Sequence, residues 1–130
     1  MVPWSEGGAP MQERILVVDD DKMNLIRTKK ILEKYYDVLL SESGADALQK
    51  LEEEVVDLVL LDIEMPGMNG IETFERMQKF SVKIPVIFLT ASGDKDDVMS
   101  AIKLGAVNYL KKPFLPQELL KRVAKEFEGK

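Results

Sequence analysis

Residues 17–22 read VVDDDK, three aspartates in a row directly behind the apolar run ILVV. Adjacent carboxylates repel, and a buried carboxylate is costly unless it is paired. A further acid, Asp62, closes a second apolar run, LVLLD. A third run, VIFLT, ends in Thr90 and is followed by Ala91 and Ser92, and a fourth stretch ends in Lys111, Lys112 and Pro113. Brought together, these residues offer carboxylates, a hydroxyl and an ammonium. Packed carboxylates are relieved by a hard cation, and Mg²⁺ takes a few carboxylates together with waters and a phosphate oxygen. A divalent ion so placed neutralises an incoming phosphoryl group. A lysine and a threonine hydroxyl can hold the remaining phosphoryl oxygens, and an aspartate can itself be the nucleophile, forming an acyl phosphate. Singly, each residue has a plainer reading: Asp21 as a helix cap, its preferred role, Asp62 as a turn residue, Thr90 as a strand end, Lys112 as a solvated lysine. The argument rests on their meeting at one place.

The elements that must position them alternate. Apolar strand patterns cover 14–19, 36–41, 57–62, 84–90 and 107–112. Helical periodicity covers 22–35 through Leu25, Thr28, Leu32 and Tyr35, 44–54 through Ala47, Leu48 and Leu51, and 70–80 through Ile71, Phe74 and Met77. It continues over 94–104 through Val98, Ala101 and Ile102, and over 116–128 through Leu119, Leu120, Val123 and Phe127, with Pro116 suited to the first turn. Strict βα alternation predicts an α/β fold, a parallel sheet with helices on both faces. The runs ILVV, LVLL and VIFL have no polar alternation, as central parallel strands require. Ligands of such sheets bind at the carboxyl ends of the strands, where Asp19, Asp20, Asp62, Thr90 and Lys112 fall.

Composition narrows the chemistry. The chain of 130 residues suits one domain, with 45% hydrophobic and 32% charged residues. It contains no cysteine, which excludes disulfides and thiolate metal sites, and no histidine, which excludes an imidazole base or ligand of its own. The net charge of −5 argues against direct, non-specific nucleic-acid binding. No apolar run has the length of a membrane span and the start lacks a signal-peptide pattern, so a cytoplasmic location is expected. Residues 103–130 are net basic while the rest is acidic, which fits either a solvated last helix or a partner-docking face. Residues 1–10 read as a flexible extension or tag, with Met11 resembling a natural start and one domain over 11–130.

The motifs resemble the receiver domain of two-component response regulators, the family that includes the chemotaxis regulator. ILVVDDD resembles its first strand and acidic pair, and SGADAL its second helix start through Gly44, Ala47 and Leu48. DLVLLDIEMPGMNG matches D-x-x-M-P-x-M-x-G through Asp62, Met65, Pro66, Met68 and Gly70. PVIFLTA supplies Thr90, and GAVNYLKKPF matches through Gly105, Ala106, Tyr109, Lys112 and Pro113. The resemblance implies a flavodoxin-like (βα)5 sandwich with strand order 2-1-3-4-5. It implies Asp62 as phosphoacceptor, Asp20 and Asp62 as direct Mg²⁺ ligands with Asp19 assisting through water, and the backbone carbonyl of Glu64 as a further ligand. Lys112, before a cis Pro113, would contact the phosphoryl group and Thr90 would hydrogen-bond to it. Thr90 and Tyr109 would form the switch, with Glu64 and Ser92 tuning hydrolysis. A sensor histidine kinase or histidine phosphotransfer protein would be the donor. The output would pass from the surface of the fourth predicted helix, the fifth strand and the last helix to a downstream protein or output domain, or into a phosphorylation-dependent homodimer. No catalysis is implied beyond self-catalysed phosphoryl transfer and autodephosphorylation.

Two other readings remain open. An aspartate-nucleophile phosphatase of the haloacid dehalogenase type would use Asp19 of the D-x-D formed with Asp21, though that class needs a longer chain with a cap. A receiver-like docking module would keep the fold without phosphorylation. The chain could be a stand-alone receiver or one domain of a longer regulator or hybrid kinase.

Overall fold

The computed structural model describes residues 12–80, 83–91, 99, 103, 105 and 108–128. Its strands are β1 (Arg14–Val18), β2 (Asp37–Ser41), β3 (Leu58–Asp62), β4 (Val86–Thr90) and β5 (Asn108–Lys111). Its helices are α1 (Lys22–Leu32), α2 (Gly44–Glu53), α3 (Gly70–Met77) and α4 (Pro116–Phe127). All five strands are parallel, in the order β2-β1-β3-β4-β5. The helix expected over 94–104 lies outside the described residues except for Met99 and Lys103, both helical. The extension over 1–10 and Ser92 also lie outside them.

The three central strands are buried on both faces because alternate residues feed opposite cores. Leu16, Val18, Val59, Leu61, Val86 and Phe88 face α2 and α3, meeting Ala47, Leu51, Phe74 and Met77. Ile15, Val17, Leu58, Leu60, Ile87 and Leu89 face α1 and α4, meeting Leu25, Leu32, Leu119 and Val123. Each large aliphatic side chain so buried contributes about 1.5–3 kcal/mol. The edge strand β2 is only half-buried up to Ser41. Gly44 opens α2 against α3, where a Cβ would lie 2.2 Å from Thr73 Oγ1.

Helix α1 ends three residues before the predicted boundary. Leu25, Thr28 and Leu32 are buried as expected, but Tyr35 is 57% exposed. The amides of Tyr35 and Tyr36 both donate to Leu32 O, at 3.0 and 2.9 Å, and turn the chain. The turn brings Asp37 N to Glu13 O at 3.0 Å and starts β2 in register. Tyr36 takes the inward place instead, its ring 5.4 Å from that of Phe127. Pairing of β2 with β1 thus ends a helical period that the sequence alone would continue.

Candidate phosphoryl-acceptor site

Strand β1 lies between β2 and β3, so the chain leaves it in opposite directions and a crevice opens at the carboxyl ends of β1 and β3. Asp19 and Asp20 follow β1 and Asp62 ends β3. One carboxylate oxygen from each of the three lies within 4.8 Å of the others. Asp19 and Asp62 are buried, at 2% and 5% exposure, and Asp20 is exposed. Asp21 takes its expected role as N-cap of α1, accepting from Met23 N at 2.8 Å and Asn24 N at 3.4 Å.

Lys112 arrives from beyond β5. Its Nζ lies 2.7 Å from Asp19 Oδ2 and 3.3 Å from Asp62 Oδ2. The Lys112–Pro113 peptide is cis, and Lys112 N donates to Thr90 O at 2.7 Å. Lys111 is exposed, so it is Lys112 that faces the acids. Thr90 is buried at the end of β4, paired with Lys111.

Asp62 is held from the other side by Glu64 N, which donates to its Oδ1 at 3.2 Å. The side chain of Glu64 itself is exposed. The loop can return so tightly because residue 70 is glycine. A Cβ there would stand 2.2 Å from Asp62 O and 2.8 Å from Ile63 Cα, and Gly70 N donates to Ile63 O at 2.9 Å. Asn69 then caps α3, accepting from Glu72 N while Glu72 Oε1 accepts from Asn69 N, a reciprocal capping box.

Electrostatics set the two aspartates apart. Burial pushes the Asp62 carboxyl up to about 6, with the charge of Asp19 adding and Lys112 opposing. Burial works against the Lys112 ammonium, but its hydrogen bond to Asp19 and the charges of both acids outweigh this and raise its pKa. Asp19 accepts from Lys112 Nζ at 2.7 Å and from Asp21 N at 3.0 Å, so both of its oxygens are engaged. Among the described residues, no cation pairs with Asp20. Three clustered carboxylates, two of them sharing one ammonium and the third without a cation among these residues, fit a hard divalent cation such as Mg²⁺.

Tyr109 stands apart from this cluster, with 41% of its surface exposed. The structure thus brings Asp19, Asp20, Asp62 and Lys112 together, ends β4 in Thr90 beside β5, and leaves Tyr109 outside. Sequence reasoning missed the amides of Glu64 and Asp21 that orient the carboxylates. Backbone donors leave no residue-type signal, although the Pro- and Gly-rich loop after Asp62 marks a tight return.

The profile of the response regulator receiver domain matches residues 15–124. The chain belongs to this family. It is 37% identical over 114 residues to the alkaline phosphatase synthesis transcriptional regulatory protein PhoP of Bacillus subtilis, covering 87% of this chain and 48% of that protein. It is 39% identical over 119 residues to the transcriptional regulatory protein CrdR of Helicobacter pylori, covering 90% of this chain and 56% of that one. The receiver thus spans about half the length of these curated relatives. A CheY-like receiver domain from Methanospirillum hungatei superposes with a TM-score of 0.84 at 34% identity, covering 88% of this chain and 93% of the other. Chemotaxis protein CheY4 of Vibrio cholerae gives a TM-score of 0.81 at 29% identity, covering 88% and 98%. This receiver belongs to two-component signalling, and the phosphatase and docking-module readings are not favoured.

Proposed function

We propose that Asp62 is the residue of this receiver that accepts the phosphoryl group. The observation that carries this is its position: a buried carboxylate at the chain-reversal crevice, 3.3 Å from the Lys112 ammonium, with the carboxylates of Asp19 and Asp20 alongside. An Asp62 oxygen attacks phosphorus, the N–P bond of a donor phosphohistidine breaks, and an acyl phosphate forms as the imidazole leaves. The chain has no histidine, so the donor imidazole comes from a sensor histidine kinase or a histidine phosphotransfer protein. Lys112 turns from bridging two acids to holding a phosphoryl oxygen, and the Thr90 hydroxyl takes another. Asp20, Asp62 and the Glu64 carbonyl would hold Mg²⁺, with Asp19 assisting through water; the ion supplies neutralisation of phosphoryl charge. Asp19, with both oxygens held by short bonds, is poorly placed to be a nucleophile.

The output would follow from a shift between two pre-existing states, read at Thr90 and Tyr109 and displayed by β5, α4 and the segment over 94–104. Its reader is a downstream protein or an output domain, or a second phosphorylated copy. Several relatives are transcriptional regulators twice as long, so a cytoplasmic regulator acting on DNA through another domain fits this receiver better than direct nucleic-acid binding. Its own chemistry would be limited to accepting and hydrolysing the phosphoryl group. Incubation with acetyl phosphate and Mg²⁺ tests the assignment by intact mass. The wild type gains one phosphoryl group and Asp62→Asn gains none; an unmodified wild type, or equal modification of the variant, would contradict it.

A further inference from the structure

Strand β5 is the open edge of the sheet, since no strand lies beyond it among the described residues. Its register with β4 pairs Phe88 with Tyr109 and Thr90 with Lys111, and Lys112 N donates to Thr90 O, so the backbone groups of Leu110, two residues earlier, also point to β4. The N–H and C=O of Tyr109 fall on the other side, towards the open edge, where the ladder offers nothing. Both are nevertheless occupied. Asn108 Oδ1 accepts from Tyr109 N at 2.8 Å. Arg122 Nη1 donates to Tyr109 O at 2.7 Å and to Asn108 Oδ1 at 2.8 Å. One guanidinium nitrogen from α4 therefore closes a ring of contacts around both polar groups of a single residue on a free edge.

We infer that Arg122 and Asn108 are positioning residues that clasp the Tyr109 main chain to α4, so that the switch acts by rotation of the Tyr109 ring about a fixed backbone. The coupling half of this rests on the reading of Tyr109 as a switch residue; the clasp itself does not. The consequence is a division of labour. The acids and Lys112 decide whether the phosphoryl group is bound. Arg122 decides how sharply Tyr109 reports it. With both edge groups of Tyr109 taken, strand addition at this position is also blocked, so a partner reads side chains there.

The test uses the full chain and three variants, Arg122→Ala, Arg122→Lys and Asn108→Ala. Amide hydrogen exchange of Tyr109 and Leu110 is compared by NMR, and the Tyr109 ring signals are followed on adding Mg²⁺ with beryllium fluoride, a phosphoryl mimic. Exchange at Tyr109 rises about tenfold in Asn108→Ala, which removes the acceptor of its N–H, the loss of one ordinary hydrogen bond; it rises by less in Arg122→Ala, which keeps that acceptor but frees it from α4, while Leu110 is unchanged in both. The ring response weakens in Arg122→Ala and is partly restored in Arg122→Lys, with the rate of phosphorylation by acetyl phosphate unaltered. Unchanged Tyr109 exchange in Arg122→Ala overturns the clasp, and a full ring response in that variant overturns the coupling. A wild-type ring that ignores beryllium fluoride removes the switch reading and the coupling with it, while the exchange data still decide the clasp.

Discussion

The two ends of the sheet hold the same charges and use them differently. At the amino end, Arg14 meets three carboxylates: its Nε lies 2.7 Å from Asp37, its Nη1 3.0 Å from Glu54, and its backbone N donates to Asp57 Oδ2 at 2.7 Å. At the carboxyl end, Lys112 meets only two, Asp19 and Asp62, and a third acid, Asp20, lies alongside them. Each acid around Arg14 has its own donor and opens to water, with 47% of the Asp37 and Glu54 side chains exposed. At the other end two buried acids share one ammonium, and the third has no cation among the described residues. The first arrangement satisfies its charges; the second has negative charge to spare. The Arg14 guanidinium is raised chiefly by its hydrogen bond to Asp37, whereas the Asp62 carboxyl is raised chiefly by burial. Equal numbers of acids thus give a structural clip in one place and, in the other, a cluster whose excess negative charge fits the proposed cation and phosphoryl group.

Lys112→Ala breaks the contrast most severely. Removing the ammonium leaves buried acids uncompensated, and a loss of about 3–5 kcal/mol is expected, read by urea denaturation in the absence of divalent ions. Mg²⁺ recovers part of that loss, because it supplies cationic charge to the same oxygens. Next in size is Mg²⁺ itself. At about 100 times its Kd it adds ~2.7 kcal/mol to the wild type, seen as a rise in melting temperature. That rise should be largely absent in Asp20→Asn.

Asp62→Asn sharpens the comparison from the opposite direction. A folded-state pKa of about 6 means that the native state holds its proton more tightly than the unfolded chain does. Stability therefore falls as pH rises from the ordinary aspartate range through about 6, and the penalty is full above that. The variant has no such charge. Without Mg²⁺ at pH 7 it should exceed the wild type by about 1–2 kcal/mol, allowing for the open, water-facing mouth of the crevice. The gap should close near pH 4. A wild type that is the more stable at pH 7 without Mg²⁺ would show that the crevice is not strained. The smallest effect is expected at the satisfied end. Arg14→Ala should cost about 1 kcal/mol or less, independent of Mg²⁺, with phosphorylation unchanged.

The carboxyl end was legible in the sequence and the amino end was not. Asp19, Asp20, Asp62 and Lys112 each sit where an apolar strand stops, so alternation and parallel pairing are enough to bring them together. Arg14, Asp37, Glu54 and Asp57 meet only through the register of β1 with its neighbours and carry no local pattern. Strands β1, β3 and β4 were readable because burial on both faces forces consecutive apolar residues. Tyr35 misled because helical period cannot show where strand pairing takes over. Arg122 and Asn108 escaped notice because their partners are main-chain atoms on an edge, a property of the sheet rather than of any motif.

The most direct measurement of the central claim is to locate the phosphoryl group. After reaction with acetyl phosphate and Mg²⁺, borohydride reduces an acyl phosphate to an alcohol, which peptide mass spectrometry places on one residue. Reduction at Asp62 alone is the expected result. Reduction at Asp19 or Asp20, or at no aspartate of a protein that has gained the phosphoryl mass, would contradict it.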